Sequence, residues 1–249
     1  MNKQVKKIIL QLFIIVCLCG TIYYLYKIVT WKKHITDNKR VQEIVSEKIN
    51  IVPSEDKKET KFEIDFDSLK GINKDTIGYI KVNNTNIDYI VVKGKDNSYY
   101  LNHNFERKWN VAGWVFADYH NKFDGSDKNI VIYGHNMKDG SMFGSLSNVL
   151  KKEWYTSDEN KYITFVSENG TYKYEIFSIY TVDKEDYYIN TMFKDNETFN
   201  SFINTIKSRS IYNFKVDVSK DNQILTLSSC TKGGKQRVVV HAVLSKDTE

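Results

Sequence analysis

The 249-residue sequence contains little proline and little cysteine, and each scarcity excludes a class of protein. Pro53 is the single proline, which excludes a proline-rich linker protein. The three cysteines, Cys17, Cys19 and Cys230, have no spacing that suits a structural zinc site, and they cannot form a disulfide framework. Since 41% of the residues are apolar and 27% are charged, the chain is neither disordered nor fibrous.

The main body of the sequence also lacks a strong excess of charge of either sign. Residues 1–40 hold eight basic residues and one acidic residue, an excess larger than the net charge of +5 of the whole chain. The remaining residues hold 28 basic and 30 acidic side chains. This near-neutral body excludes a nucleic-acid-binding surface as the main function, and no nucleic acid partner is expected.

One long run of apolar residues, at positions 8–26, contains no charged side chain. As a helix it would span roughly 28 Å, close to the thickness of the hydrocarbon part of a bilayer. Tyr23, Tyr24 and Tyr26, near the end of the run, fit the aromatic belt of a membrane interface. A cleaved signal peptide is the alternative, but no small-x-small cleavage pattern follows the run. We therefore predict a single-pass signal anchor in the cell membrane.

The rest of the chain divides around this anchor. We predict a cytoplasmic tail over residues 1–7, a juxtamembrane helical stalk over 27–60 and an extracytoplasmic domain over 61–249, since a long domain crosses the membrane more readily than a short basic tail. Within the stalk, apolar residues at helical spacing predict an amphipathic helix over 34–52. This helix would either pack on the domain or hold it away from the membrane. A second helix is predicted over 65–72.

Beyond residue 76 the apolar residues are mostly β-branched and occur in short runs, a pattern typical of strands. The strand candidates are residues 77–82, 87–92, 111–117, 129–133, 162–166, 172–180, 224–229 and 237–244. Helices are predicted at 145–150 and 196–209. Many strands with few helices predict a mainly β fold, in which a closed or nearly closed β-barrel carries helical insertions.

Cys230 is the one cysteine of the predicted extracytoplasmic domain, so it has no partner for an intramolecular disulfide. Its thiol is either buried and inert or retained for its reactivity. Two glycines within residues 231–236 favour a turn between antiparallel strands, which would place Arg237 beside Cys230. A guanidinium there would favour the thiolate and could donate two hydrogen bonds to an oxyanion. The alternative is an arginine that only flanks a strand.

His135 lies in a predicted turn that follows the apolar run at 129–133. A histidine at a strand end can exchange protons near neutral pH, although a lone histidine is more often a surface or core residue. The other four histidines are weaker candidates: His34 in the stalk, His103 and His120 in polar loops, and His241 within a predicted strand.

Short stretches around these residues form an ordered pattern. They are YGHNM at 133–137, GSMFG at 140–144, TLSSC at 226–230 and RVVV at 237–240, with supporting stretches at 72–80, 86–90 and 95–101. The set of His, Leu-Ser-x-Cys and Arg, beneath an N-terminal anchor, resembles the sortase family of Gram-positive bacteria, and more narrowly its class B. The resemblance covers about residues 62–244.

The resemblance implies an eight-stranded β-barrel and a Cys–His–Arg site. Cys230 would attack the carbonyl of a threonine in a sorting signal and form a thioacyl-enzyme, which an amine of peptidoglycan or of its lipid-linked precursor resolves. Arg237 would hold the oxyanion or the substrate carbonyl. His135 would act as general acid for the leaving amine and then as base for the incoming one. No cofactor is implied, and since nothing resembles the acidic calcium site of class A members, we expect no metal.

The resemblance also implies six substrate-binding residues, namely Ser228, Tyr133, Asn97, Leu101, Tyr188 and Ile189. Tyr188 and Ile189 would form an apolar patch suited to a proline ring. The sequence departs from the class at Lys184, where threonine stands elsewhere, and in the short connection between Cys230 and Arg237.

These features together predict a membrane-anchored cysteine transpeptidase. It would cleave a C-terminal sorting motif of surface proteins, similar to Asn-Pro-x-Thr-Asn or Pro-x-Thr-Gly, after the threonine. Two alternatives stay open. One is a thiol hydrolase or protease that uses the same Cys–His–Arg site with water as acceptor. The other is a non-catalytic, membrane-tethered binding module with a structural cysteine.

Overall fold

The computed structural model describes residues 2–53, 60–183, 185–231 and 236–245. The chain forms two compact units that divide between Arg40 and Val41.

The first long element, α1, is a continuous helix of 44 residues, Lys3–Ser46. It is long and apolar enough to cross a membrane, and its most apolar stretch is not buried in the protein. The helix predicted over 34–52 is wrong in its last residues, because the helix ends at Ser46. Residues Ile49–Pro53 form strand β1 instead. Ile49, Ile51 and Val52 are β-branched, which favours a strand over a helix.

Strand β1 pairs with strand β2, Thr60–Ile64, in a two-stranded antiparallel sheet. The second compact unit therefore begins before the predicted start of the domain at residue 61. In its core, Val41 and Val45 from the last turns of α1 are buried. The helix was predicted either to pack on the domain or to hold it away from the membrane. Its last turns pack on the domain.

Eight strands form a closed barrel, which confirms the predicted architecture. They are β3 Thr76–Val82, β4 Asp88–Val92, β5 Phe116–Ala117, β6 Asn129–Gly134, β7 Tyr162–Ser167, β8 Gly170–Asp183, β9 Ile224–Thr231 and β10 Gln236–Leu244. Around the barrel the order is β10-β8-β7-β3-β4-β5-β6-β9. The pairs β4–β5 and β6–β9 are parallel and the others antiparallel.

The strand predicted over 111–117 is mostly a loop, and only Phe116–Ala117 is β. Gly113 explains the difference, because its φ is +59° and a Cβ there would lie 2.3 Å from the carbonyl oxygen of Tyr100. The chain folds tightly at this point, so that the amide of Trp114 donates to the same carbonyl. A glycine in this conformation interrupts the extended backbone that a strand needs.

The helical insertions are short, with one exception. They comprise α2 Phe66–Ile72, α3 Lys152–Tyr155, α4 Asn196–Ser208 and 3-10 turns at Tyr99–Leu101, Gly144–Leu150, Asp158–Asn160 and Tyr187–Ile189. Asp65 caps α2 by accepting a hydrogen bond from the amide of Ser68, and Asp195 caps α4 in the same way from Thr198. The helices predicted at 65–72, 145–150 and 196–209 are thus confirmed, the second as a 3-10 turn.

Strand β10 is buried on both faces over residues 238–243, which explains the consecutive valines at 238–240. Val238, Val240 and Ala242 belong to a cluster that draws on all eight barrel strands. Val239 and Val243 belong to a second cluster, which includes the buried face of α4. The strand therefore separates the barrel interior from a layer between the sheet and α4.

His241 lies within β10, as predicted, and is completely buried. The rings of Phe177, Tyr180 and Phe202 surround its imidazole at centroid distances of 6.1, 5.5 and 6.3 Å. Burial disfavours the charged imidazolium and lowers the pKa of His241 to about 3. The folded protein therefore holds His241 neutral at physiological pH.

This depressed pKa predicts a loss of stability in acid. Between pH 6.5 and about 3 the unfolded chain binds a proton at His241 that the folded chain does not, so the free energy of unfolding falls as the pH falls. The slope due to this one group is at most about 1.4 kcal/mol per pH unit. Chemical denaturation of the full chain in detergent micelles between pH 5 and 7 measures it. His241→Asn should show the shallower slope, and equal slopes would mean that His241 does not titrate on unfolding.

Candidate active site

Three strand ends meet at one edge of the barrel. In the parallel pair β6–β9, Tyr133 lies opposite Ser228, and in the antiparallel pair β9–β10, Cys230 lies opposite Arg237. The pairing of Cys230 with Arg237 confirms the antiparallel pairing of the two strands predicted from the sequence. The side chain of Cys230 and residues 232–235, for which a turn was predicted, lie outside the described part of the structure, so the role of Cys230 as nucleophile stays a prediction.

A pocket of about 210 Å³ opens at this edge. Its lining residues are Asn97, Leu101, Phe116, Tyr133, Gly134, His135, Asp186, Ile189, Ser228 and Arg237. Seven of the nine residues expected in the site from the sequence are among them. Phe116, Gly134 and Asp186 are additional lining residues that were not among those expected.

His135 is positioned by the close packing of the chain that follows β6. A Cβ at Gly134 would lie 2.5 Å from the ring of Phe143, so only glycine fits beneath this histidine. The amide of Phe143 donates to the carbonyl of His135 at 2.9 Å. The Nε2 atom of His135 lies 2.8 Å from the carbonyl oxygen of Leu101. Because a carbonyl only accepts, Nε2 carries a proton, and Nδ1 is the atom left to exchange one.

Arg237 is oriented by Tyr188. The guanidinium donates a hydrogen bond of 3.0 Å to the Tyr188 hydroxyl, which is also 3.0 Å from Oγ of Ser228. The side chain of Tyr188 is completely buried, so it supports the pocket wall and does not line it. Of the two residues predicted to form an apolar patch, Ile189 lines the pocket. Lys184, where the sequence departs from the class, lies outside the described residues.

Asp118 positions two residues that line the pocket, Asn97 and Tyr133. Its buried carboxylate accepts hydrogen bonds through Oδ2 from Asn97 Nδ2 at 2.7 Å and from the Tyr133 hydroxyl at 2.8 Å. Through Oδ1 it accepts from the amide of His120, whose Nδ1 also lies 2.8 Å away. Burial and the nearby negative charge of Asp118 raise the pKa of Tyr133 well above its usual range. Tyr133 therefore stays a hydrogen-bond donor.

Comparison with known proteins relates the chain to sortases. The sortase domain model matches residues 80–245. The sortase B of Listeria monocytogenes is 41% identical over 164 residues, which are 65% of this chain and 65% of that protein. The sortase B of Bacillus anthracis, solved with AAEK1, has a TM-score of 0.73 and 33% identity and covers 86% of this chain and 99% of its own. A sortase B–substrate complex from Staphylococcus aureus has a TM-score of 0.68 and 36% identity, over 73% of this chain and 85% of that one.

This chain belongs to the sortase family. Its relatives named above are all sortase B proteins, so it is a class B member, as the resemblance in the sequence implied. The chain spans just under two thirds of the length of the Listeria relative.

Asp118 is a further residue of this sortase site that sequence reasoning missed. It directly follows β5, a strand of two residues that gives no periodic signal. Phe116 of the same strand pairs with Tyr133, which brings Asp118 beside the pocket. An aspartate directly after a run of apolar residues was the only available signal, and it is too common to identify a site.

Proposed function

We propose that this class B sortase is a cysteine transpeptidase that joins proteins bearing a sorting signal to a cell-wall amine. The observation that carries the proposal is the register that sets Cys230 opposite Arg237, with His135 lining the same pocket as Arg237. A thiol nucleophile, a fixed cation and a proton carrier are the three groups that acyl transfer through a thioester needs.

The proposed reaction has two halves. In the first, the Cys230 thiolate attacks the threonine carbonyl, the C–N bond after threonine breaks, and the leaving amine takes a proton from His135. In the second, His135 takes a proton from the acceptor amine, which attacks the thioester, and the C–S bond breaks to restore the thiolate. Arg237 donates a hydrogen bond to the carbonyl oxygen while that oxygen carries negative charge in each half. Each half returns His135 to the state that the other half requires.

Substrate recognition is assigned to the pocket walls. Ser228, Tyr133 and Asn97 offer polar groups to an extended peptide backbone, while Leu101 and Ile189 offer apolar surface for a proline ring. The donor would be a surface protein with a motif of the Asn-Pro-x-Thr-Asn or Pro-x-Thr-Gly type. The acceptor would be an amine of peptidoglycan or of its lipid-linked precursor, reached outside the cell by a domain that α1 anchors to the membrane. The proposed reaction uses no cofactor or metal.

A panel of fluorogenic peptides tests this assignment. Peptides of the Pro-x-Thr type should be cleaved after threonine at least about tenfold faster than matched peptides in which alanine replaces the proline or the threonine, since each change removes a pocket contact. Addition of a short glycine peptide should convert the product from the free acid to the amide. Equal cleavage of the alanine peptides would overturn the groove assignment. A product that stays the free acid in the presence of the amine would favour the thiol hydrolase.

A further inference from the structure

A network of hydrogen bonds, buried except at its two ends, runs through the core behind the pocket. It begins and ends on the same short turn, and we call it the hydrogen-bond ring. Its members are Tyr187, Tyr180, His241, Thr226 and Asn129. Thr226, Asn129 and His241 are completely buried, and Tyr180 is nearly so. The reaction proposed above uses none of them.

The first half of the hydrogen-bond ring begins at Tyr187 in the turn. The Tyr187 hydroxyl donates to the Tyr180 hydroxyl at 3.1 Å. The Tyr180 hydroxyl lies 2.9 Å from Nε2 of His241. Tyr180 belongs to β8 and His241 to β10, so these bonds connect the turn to the centre of the sheet.

The second half returns from His241 to the turn. Nδ1 of His241 lies 2.8 Å from Oγ1 of Thr226, which donates to Oδ1 of Asn129 at 2.7 Å. The Asn129 amide nitrogen then donates to the carbonyl oxygen of Asn190 at 2.9 Å and approaches that of Tyr188 at 3.4 Å. Both carbonyls belong to the residues that follow Tyr187.

The partners at the two ends fix the direction of every bond. Because the Asn129 amide nitrogen faces two carbonyls, its oxygen must be the atom that accepts from Thr226. Thr226 has one hydroxyl proton and gives it to Asn129, so Nδ1 of His241 must donate to Thr226. A neutral imidazole with its proton on Nδ1 has a bare Nε2, which accepts from Tyr180. One tautomer of His241, with the proton on Nδ1, therefore satisfies every hydrogen bond of the hydrogen-bond ring.

We propose that this ring positions the turn at Tyr187–Ile189 for binding of the acyl donor, with Asn129, Thr226, His241 and Tyr180 as positioning residues. The inference rests on the function proposed above, because that function gives Arg237 and the pocket their roles. Tyr188, within the turn, shares its hydroxyl with Arg237 and Ser228, and Ile189 lines the pocket. Loss of the ring would leave the turn free to shift and would misplace both groups.

The burial of the hydrogen-bond ring supports a positioning role, because buried hydrogen bonds constrain the backbone more strongly than exposed ones do. Each unpaired polar atom in such a place is costly, so the ring forms completely or the turn must move. The surrounding aromatic rings also keep His241 uncharged. An imidazolium would carry a proton on Nε2 and could not accept the Tyr180 bond.

Two matched tyrosines on β8 provide the main test. Tyr180→Phe removes a hydroxyl that belongs to the hydrogen-bond ring. Tyr174→Phe removes the hydroxyl of an equally buried tyrosine, which donates to Gln223 at 2.7 Å outside the hydrogen-bond ring. With the full chain in detergent micelles, kcat/KM for a Pro-x-Thr peptide should fall roughly three- to tenfold in Tyr180→Phe and stay near wild type in Tyr174→Phe. Equal losses in the two variants would overturn the proposal.

Thr226 separates hydrogen bonding from packing. Thr226→Val keeps the shape and removes the hydroxyl, whereas Thr226→Ser keeps the hydroxyl and removes a methyl group. We expect the serine variant to retain kcat/KM and the valine variant to lose it. The reverse order would mean that Thr226 only fills space, and the ring would then have no role in binding.

A measurement that needs no turnover separates this inference from the proposed function. Hydrogen exchange of the segment around residues 185–192 should accelerate at least tenfold in Tyr180→Phe and Thr226→Val, with no change in Tyr174→Phe. Nitrogen NMR of labelled histidine should show His241 protonated on Nδ1 and bare on Nε2. If the exchange rates of this segment are unchanged in the variants, or if His241 is the opposite tautomer, the positioning role is rejected even if the enzyme is active. The expected exchange and tautomer in a chain without peptidase activity would leave the ring intact and reject the function.

Discussion

Replacement of Cys230 by alanine is expected to reduce acyl transfer to the uncatalysed background while the domain stays folded. Alanine offers no sulfur that can attack the threonine carbonyl and form a thioester. The register of β9 and β10 makes Cys230 the residue opposite the cation, so the loss should be complete. Turnover of a fluorogenic Pro-x-Thr peptide gives the rate, and circular dichroism reports the fold.

The other cysteines of the chain provide the control for this variant. Cys17 and Cys19 are exposed on the apolar part of α1, and neither lines the pocket. A chain with alanine at both positions should keep its wild-type rate. Substantial turnover by a folded Cys230→Ala protein would show that Cys230 is not the nucleophile and would favour the alternative of a structural cysteine.

Arg237→Lys should impair the enzyme severely although the positive charge is kept. The planar guanidinium donates to Tyr188 at 3.0 Å and has further N–H groups in a fixed fork that can reach a carbonyl oxygen. An ammonium cannot hold Tyr188 and the oxyanion in that geometry at once. Loss of one oxyanion donor commonly lowers kcat by about 10²–10³, and we expect a decrease of that order.

Arg107→Lys is the matched control, because it also replaces a planar guanidinium by an ammonium group and keeps the charge. Arg107 is ion-paired with Asp75 at 2.7 Å, and it is not among the residues that line the pocket. Its replacement should leave the rate near wild type. If Arg237→Lys also kept a near-normal kcat, Arg237 would act only as a diffuse charge, and the oxyanion role would have to be reassigned.

The sequence predicts the strands and the β9–β10 hairpin because these depend on local signals. Runs of β-branched residues mark the strands, and the glycines after Cys230 mark the turn that brings Arg237 back. Strand β1 was missed because apolar residues at 49 and 52 also fit a helical period, and the strand forms only by pairing with β2.

Contacts between distant parts of the chain explain what the sequence did not predict. Asp118 reaches the pocket only because β5 pairs with β6. The place of Tyr188 behind the wall depends on Arg237, which lies 49 residues away in the sequence. His241 was placed correctly in a strand, but nothing in the sequence around it indicates that Thr226 and Tyr180 are its neighbours. Hydrogen-bonded networks of this kind are set by the tertiary fold and leave no periodic pattern.

The thioacyl intermediate is the central claim of this account, and mass spectrometry of the trapped enzyme tests it most directly. The full chain in detergent micelles is mixed with a Pro-x-Thr peptide without amine, quenched in acid, digested and sequenced. We predict an adduct on Cys230 with the mass of the peptide fragment that ends in threonine, and its disappearance when a glycine peptide is added before quenching. A peptide cleaved without any adduct on Cys230, or an adduct on another residue, would contradict the account.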